Sequence, residues 1–248
     1  MTDRSQAAPA TIGHPAMKRL SRIARSWPGS ISALLGLVAA LGFPPVHAWW
    51  IALPALALWV LHIHASPNWR GALWRGWMFG WAHLTLANNW IATAFTYQAK
   101  MPEILGWAAV PLLCVYLAVY PAMAALLAHL AARRSGQLAF AAVLAAGWIA
   151  TEWIRSWAFT GYPWPPLGLV LLGSWDTPGI ARLLPVMGTY ALSGLAVFLA
   201  GILAVMLVRG AWLRFAAVAT GIAVAMLLPD LTPGASRSTD LRFTLVQP

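Results

Sequence analysis

The chain has 248 residues, 60% of them apolar and only 9% charged, with 16 Trp and six acids. A soluble domain carries roughly 25% charged residues, so the composition excludes a soluble fold and puts the chain in a membrane bilayer. The net charge of +10 would suggest nucleic acid in a soluble protein, but its distribution along the chain has another cause, and no nucleic-acid partner is expected.

Residues 1–27 are polar and basic. No small-residue cleavage site follows the first apolar run, so this stretch reads as a cytoplasmic segment ahead of an uncleaved anchor. A spanning helix needs about 20 mostly apolar residues. About seven candidates follow, at 28–43, 46–64, 72–95, 104–131, 138–157, 181–208 and 212–228. The first is short, and Pro44-Pro45 turn it directly into the second as a tight helical hairpin.

Small residues recur at helical spacing in Gly36-x-x-x-Ala40 and Gly76-x-x-x-Gly80, which would let backbones approach closely. Such spacings are common by chance in helices this rich in Gly and Ala. The third candidate also carries His83, Thr85, Asn88 and Asn89, read as interhelical hydrogen-bonding groups. His62 and His64 have no Asp, Glu or Cys near them in sequence, so they read as solvated at a helix end, not as a metal pair. Cys114 is the lone cysteine, which excludes an intrachain disulfide, and it reads as a small buried hydrophobe. No metal or cofactor is expected.

The fifth candidate ends in Glu152 and Arg155. Spacing i, i+3 puts both on one helix face, able to pair. The pair reads either as a structural ion pair or as a polar anchor where a lipid headgroup binds; charges in a membrane are costly and lean towards function. Phe159, Thr160, Gly161, Tyr162, Pro163 and Trp164 then break the helix. They read either as an aromatic-belt anchor or as a substrate-facing lip. The run 167–172 is apolar but too short to span, so it dips into the membrane or lies on it. Residues 229–240 form a polar linker, and 241–248 alternate like the first strand of a further domain. A lone strand cannot bury itself, so the chain reads as a fragment, or its strand pairs with a partner.

Charge fixes the orientation. With the N-terminus in the cytoplasm, Arg4, Lys18, Arg19, Arg22, Arg25, Arg70, Arg75, Arg133, Arg134, Arg209 and Arg214 face it against Asp3 alone. The other side balances Lys100, Arg155, Arg182, Arg237 and Arg242 against Glu103, Glu152, Asp176, Asp230 and Asp240. The positive surplus is therefore cytoplasmic, and 158–180 and the C-terminus lie on the far side. No Gly-rich phosphate loop, G-x-S-x-G or H-E-x-x-H occurs, and no nucleophile–base–orienter set is visible. A transporter is disfavoured, because no inverted half is apparent.

Four stretches occur in a telling order. They are Gly42-Phe43-Pro44-Pro45 with Trp49-Trp50, Asn89-Trp90-Ile91, the run from Thr151 to Trp164, and Pro185-Val186-Met187-Gly188-Thr189-Tyr190. Together they resemble the apolipoprotein N-acyltransferase family over about residues 28–248. The family pattern near 151–164 is close to T-E-[WF]-[LI]-R-G-W-x-x-T-G-F-P-W; here Ser156 replaces Gly and Tyr162 replaces Phe.

The resemblance implies a multi-pass enzyme of the bacterial inner membrane that acts in lipoprotein maturation. Its donor is a phospholipid, and its acceptor is a diacylglyceryl-modified apolipoprotein. The acyl chain passes through a cysteine thioester in a periplasmic α/β nitrilase-like domain that uses Glu, Lys and Cys. Leu245-Val246-Gln247-Pro248 looks like the start of that domain, which implies that catalysis lies beyond residue 248, in the same chain or in a separate nitrilase-like partner. Cys114 and Glu152 match none of its catalytic residues, so no catalytic residue is assigned here, and the chain alone is expected to be inactive. The expected fold is an all-α membrane bundle of about seven helices, from a cytoplasmic N-terminus to a periplasmic C-terminus. The expected lipid-binding residues are Glu152, Arg155, Phe159, Gly161, Tyr162, Pro163 and Trp164. The alternative is a non-catalytic lipid- or partner-binding module descended from that family.

Overall fold

The computed structural model describes residues 26–97, 102–158, 161–162, 164–174 and 177–229. Most of the expected segment 1–27 and linker 229–240, and all of the expected strand 241–248, lie outside the described residues. Helices dominate what is described, with no β-strand among the described residues. In chain order they are α1 Pro28–Ala40, α2 Trp49–His64, α3 Trp69–Ala87, α4 Trp90–Thr96, α5 Glu103–Leu117, α6 Val119–Ala132 and α7 Gln137–Trp157. Two 3₁₀ turns, Leu167–Leu171 and Gly179–Leu183, lead to α8 Leu184–Met187, α9 Thr189–Val208 and α10 Trp212–Leu227. Three stretches are long and apolar enough to cross a membrane: Ile104–Ala132 (α5 with α6), Gln137–Trp157 and Thr189–Val208.

Six helices close a ring, each packing on the next in the order α1, α3, α6, α7, α9, α2 and back to α1. The short α4 and α5 lie outside α3, and α10 lies outside α9. Aromatic rings meet inside the ring. Trp59 stacks on Phe79 at 4.1 Å, and Trp148 stands edge-on to both at 5.8 and 6.3 Å. Lipid is as apolar as these side chains, so close packing and hydrogen bonds hold such a bundle rather than removal from water.

The small residues make the packing possible. A Cβ on Gly36 would lie 2.4 Å from the Phe79 carbonyl oxygen, so α1 and α3 touch backbone to backbone there. The buried His83 ring sits 3.3 Å from the Gly36 carbonyl oxygen, fixing the same crossing. Gly76 and Gly80 face α6 instead, against Ala125 and Pro121. Gly221 on α10 is the contrast, with nothing within 4 Å of a Cβ built there. Gly221→Ala should therefore stabilise the bundle by about 0.5–1 kcal/mol through helix propensity alone. Unfolding in a denaturing-detergent titration would check this.

Several expected boundaries move. The candidate at 72–95 is two helices: α3 stops at Ala87, where the side-chain amide and the backbone N–H of Asn88 both donate to the Leu84 carbonyl, at 2.8 and 2.9 Å. The candidate at 181–208 is broken at Gly188, whose φ of 79° no ordinary helix adopts. Nor is α1 turned at once into α2: residues 41–48 form a small loop closed by Ala48 N–H donating to the Leu41 carbonyl at 2.9 Å. His62 and His64 are not simply solvated. The His62 Nε2 lies 3.0 Å from the Pro28 carbonyl oxygen, and the His64 ring stands edge-on to Phe140. Cys114 is fully buried among Leu84, Ala92, Val110 and Leu117, as a small hydrophobe should be.

Candidate functional site

Helix α7 ends in a stretch whose only charged residues form one buried pair. Glu152 and Arg155 are each 4% exposed, and their side chains meet at 3.1 Å. A buried pair of this kind is costly to desolvate unless its remaining polar atoms are also matched. Here part of the matching comes from the chain that follows the helix, while Glu152 Oε2 stays buried without a hydrogen-bond partner among the described residues. Glu152 Oε1 accepts from the Leu167 N–H at 2.9 Å and from the Trp148 indole N–H at 3.3 Å. Arg155 Nη2 donates both to Glu152 and to the Pro165 carbonyl, each at 3.1 Å. Ser193 of α9 takes the next N–H, that of Gly168, at 2.8 Å.

These bonds explain how irregular backbone can sit inside the bundle. Leu167, Val170 and Leu171 are buried in the main core. The first N–H groups of their 3₁₀ turn have no partner within the turn, and α7 and α9 supply acceptors for them. Residues Leu167–Leu171 are therefore a 3₁₀ turn enclosed by protein. The pair is structural in the sense that it clamps residues 165–167. It also lines a cleft.

That cleft has a volume of about 170 Å³ and is lined by Glu152, Arg155, Ser156, Trp164, Pro166, Thr189 and Tyr190. Trp164 and Tyr162 hold each other with ring centroids 4.5 Å apart, and Gly161 provides the left-handed turn (φ 63°) before them. Trp164 also packs against the cluster of Ala92, Val110 and Cys114. Beyond that cluster is a second cavity of about 160 Å³ at the α3–α4 break, with mostly apolar walls that include Leu37, Ala92, Trp107 and Val110. Trp164 thus stands between a polar cleft and an apolar pocket at one end of the ring. Phe159, Thr160 and Pro163 lie outside the described residues. Trp153 and Trp157, near the same end of α7, are 54% and 56% exposed.

The structure brings Glu152, Arg155 and Trp164 into one cleft and adds Ser156, Thr189 and Tyr190, which were not among the expected site residues. Thr189 and Tyr190 were visible as part of the Pro185–Tyr190 stretch. What placed them at the cleft is the ring closure of α9 against α7, which no local pattern records.

Residues 35–202 match the family model described as the apolipoprotein N-acyltransferase N-terminal domain. Among similar proteins, the apolipoprotein N-acyltransferase of Ralstonia nicotianae is 33% identical over 70% of this chain and 33% of its own length. That of Azotobacter vinelandii is 33% identical over 67% of this chain and 32% of its own. That of Vibrio cholerae is 28% identical over 73% and 35%. The chain thus spans about a third of the length of the curated relatives it matches.

Proposed function

The chain belongs to the apolipoprotein N-acyltransferase family, and from that premise we propose that it forms the membrane portion of an enzyme of bacterial lipoprotein maturation. In this reading an acyl chain moves from a phospholipid to the amino group of the diacylglyceryl-cysteine of an apolipoprotein. The match of residues 35–202 to the family's N-terminal domain carries the reading. The chemistry belongs to a nitrilase-like domain, following residue 248 or supplied by a separate chain. The described residues shape the lipid-side entrance to it.

Each part of the cleft then has a task. The Glu152–Arg155 clamp holds the turn at 165–167, and with it the lip at Tyr162 and Trp164. Arg155 and Tyr190 offer a cation and a hydroxyl to a headgroup phosphate. The apolar cavity beyond Trp164 suits methylene groups. The chain crosses the inner membrane about seven times with its N-terminus in the cytoplasm, so the cleft opens towards the periplasm. What supports this orientation is the gathering of Arg133 and Arg134 with the start of α3 at the ring's other end.

Trp164→Ala tests the assignment. With the chain joined to its nitrilase-like domain, acyl transfer to a diacylglyceryl lipopeptide should fall about 10- to 100-fold. The unfolding midpoint should fall less than for a fully buried Trp, because Trp164 is half-buried. Full activity in the variant would make the ring a simple membrane anchor.

A further inference from the structure

At the opposite end of the ring, the start of α3 and the end of α6 enclose a cavity of about 390 Å³. Asn68, Trp69, His129, Leu130, Arg133 and Arg134 form its walls. Their chemistry divides into two halves. Arg133 and Arg134 are exposed, and among the described residues no carboxylate pairs with either. His129 is 4% exposed, and its Nδ1 is buried with no hydrogen-bond partner among the described residues. Arg70 adds a further cation at the rim, 5.2 Å above the Trp69 ring. The N-terminus of α3, capped at Gly71 N–H by Asn68, points its positive dipole end the same way. The other half is apolar: Leu130 is 66% exposed and Trp69 46%.

Cations on one side and exposed apolar surface on the other describe the recognition of an anionic amphiphile. We propose that this cavity binds the headgroup of an anionic phospholipid. The phosphate lies beside Arg133 and Arg134, and the acyl chains leave past Leu130 and Trp69. A free phosphate shares the charge but has no use for the apolar wall. Under the orientation proposed above the lipid sits in the cytoplasmic leaflet, away from the acyl-transfer cleft. Its binding requires neither acyl transfer nor the nitrilase-like domain.

Native mass spectrometry of the full chain released from nanodiscs tests this. The nanodiscs contain phosphatidylglycerol and phosphatidylcholine in equal amounts. The wild-type chain should retain phosphatidylglycerol at least tenfold over phosphatidylcholine. The Arg133→Gln/Arg134→Gln variant should lose that preference by roughly ten- to thirtyfold. Arg209→Gln/Arg214→Gln removes as much charge away from these walls and should leave retention unchanged. Excess inorganic phosphate should not displace the lipid. Equal retention of the two lipids, equal loss in both double variants, or replacement by inorganic phosphate would each overturn the proposal. Because acyl transfer is not the readout, failure here leaves the proposed function standing.

Discussion

Glu152→Ala should destabilise the bundle by about 3–5 kcal/mol. The cost follows from what is left behind. Arg155 would remain buried at 4% exposure without its carboxylate, and the Leu167 N–H would lose its acceptor inside the core. The buried 3₁₀ turn would then have to reach solvent or distort. Glu152→Gln keeps an acceptor for Leu167 and Trp148 while removing the charge, so it should recover part of the loss. Tryptophan fluorescence during a denaturing-detergent titration would rank wild type, Gln and Ala in that order. Equal midpoints for all three would mean that the pair holds nothing in place. Because the Ala variant is expected to unfold readily, its activity alone cannot report on lipid binding, and Trp164 is the cleaner probe of the cleft.

Gly36 should be hard to replace among the helical small residues, because its neighbour is backbone. Gly36→Ala puts a methyl carbon 2.4 Å from the Phe79 carbonyl oxygen, and backbone cannot give way as a side-chain tip can. Overpacking of this kind costs about 1–3 kcal/mol, and Gly36→Leu should cost more. The penalty spreads, because the His83 contact at the same crossing is lost as α1 and α3 separate. Gly221→Ala in α10 meets no atom and serves as the matched control. The expected result is a lowered unfolding midpoint for Gly36→Ala beside an unchanged or raised one for Gly221→Ala. Similar midpoints would mean that α1 and α3 do not touch as described.

The contrast between these two glycines shows where the sequence was legible. Gly36 and Gly76-x-x-x-Gly80 could be marked as close-approach sites, because only small residues permit such approach. Their partners could not be read: Gly36 faces α3, whereas Gly76 and Gly80 face α6. In a lipid-embedded helix nearly every face is apolar, so periodicity does not say which face meets which neighbour. Helix ends suffered for a related reason. The side chain and backbone N–H of Asn88 both donate to the Leu84 carbonyl at the end of α3, and Pro121 in the first turn of α6 has no N–H for the Leu117 carbonyl where α5 gives way to α6 at Ala118. There the Trp77 indole takes the Val115 carbonyl in the last turn of α5, a contact between distant residues. The Glu152–Arg155 pair was legible from i, i+3 spacing. Its hold on Leu167 and Pro165 was not, since that bond spans an irregular connection.

The central claim divides one site between two parts: this chain builds the lipid-side cleft, and a nitrilase-like domain supplies the chemistry. Acyl transfer from phospholipid to a diacylglyceryl lipopeptide is the most direct measurement of it. It should be made on residues 1–248 alone and on the same chain joined to a nitrilase-like domain, both folded in the same membrane. The account predicts no transfer by the first and transfer by the second. Transfer by residues 1–248 alone, or none by the joined protein, would contradict it.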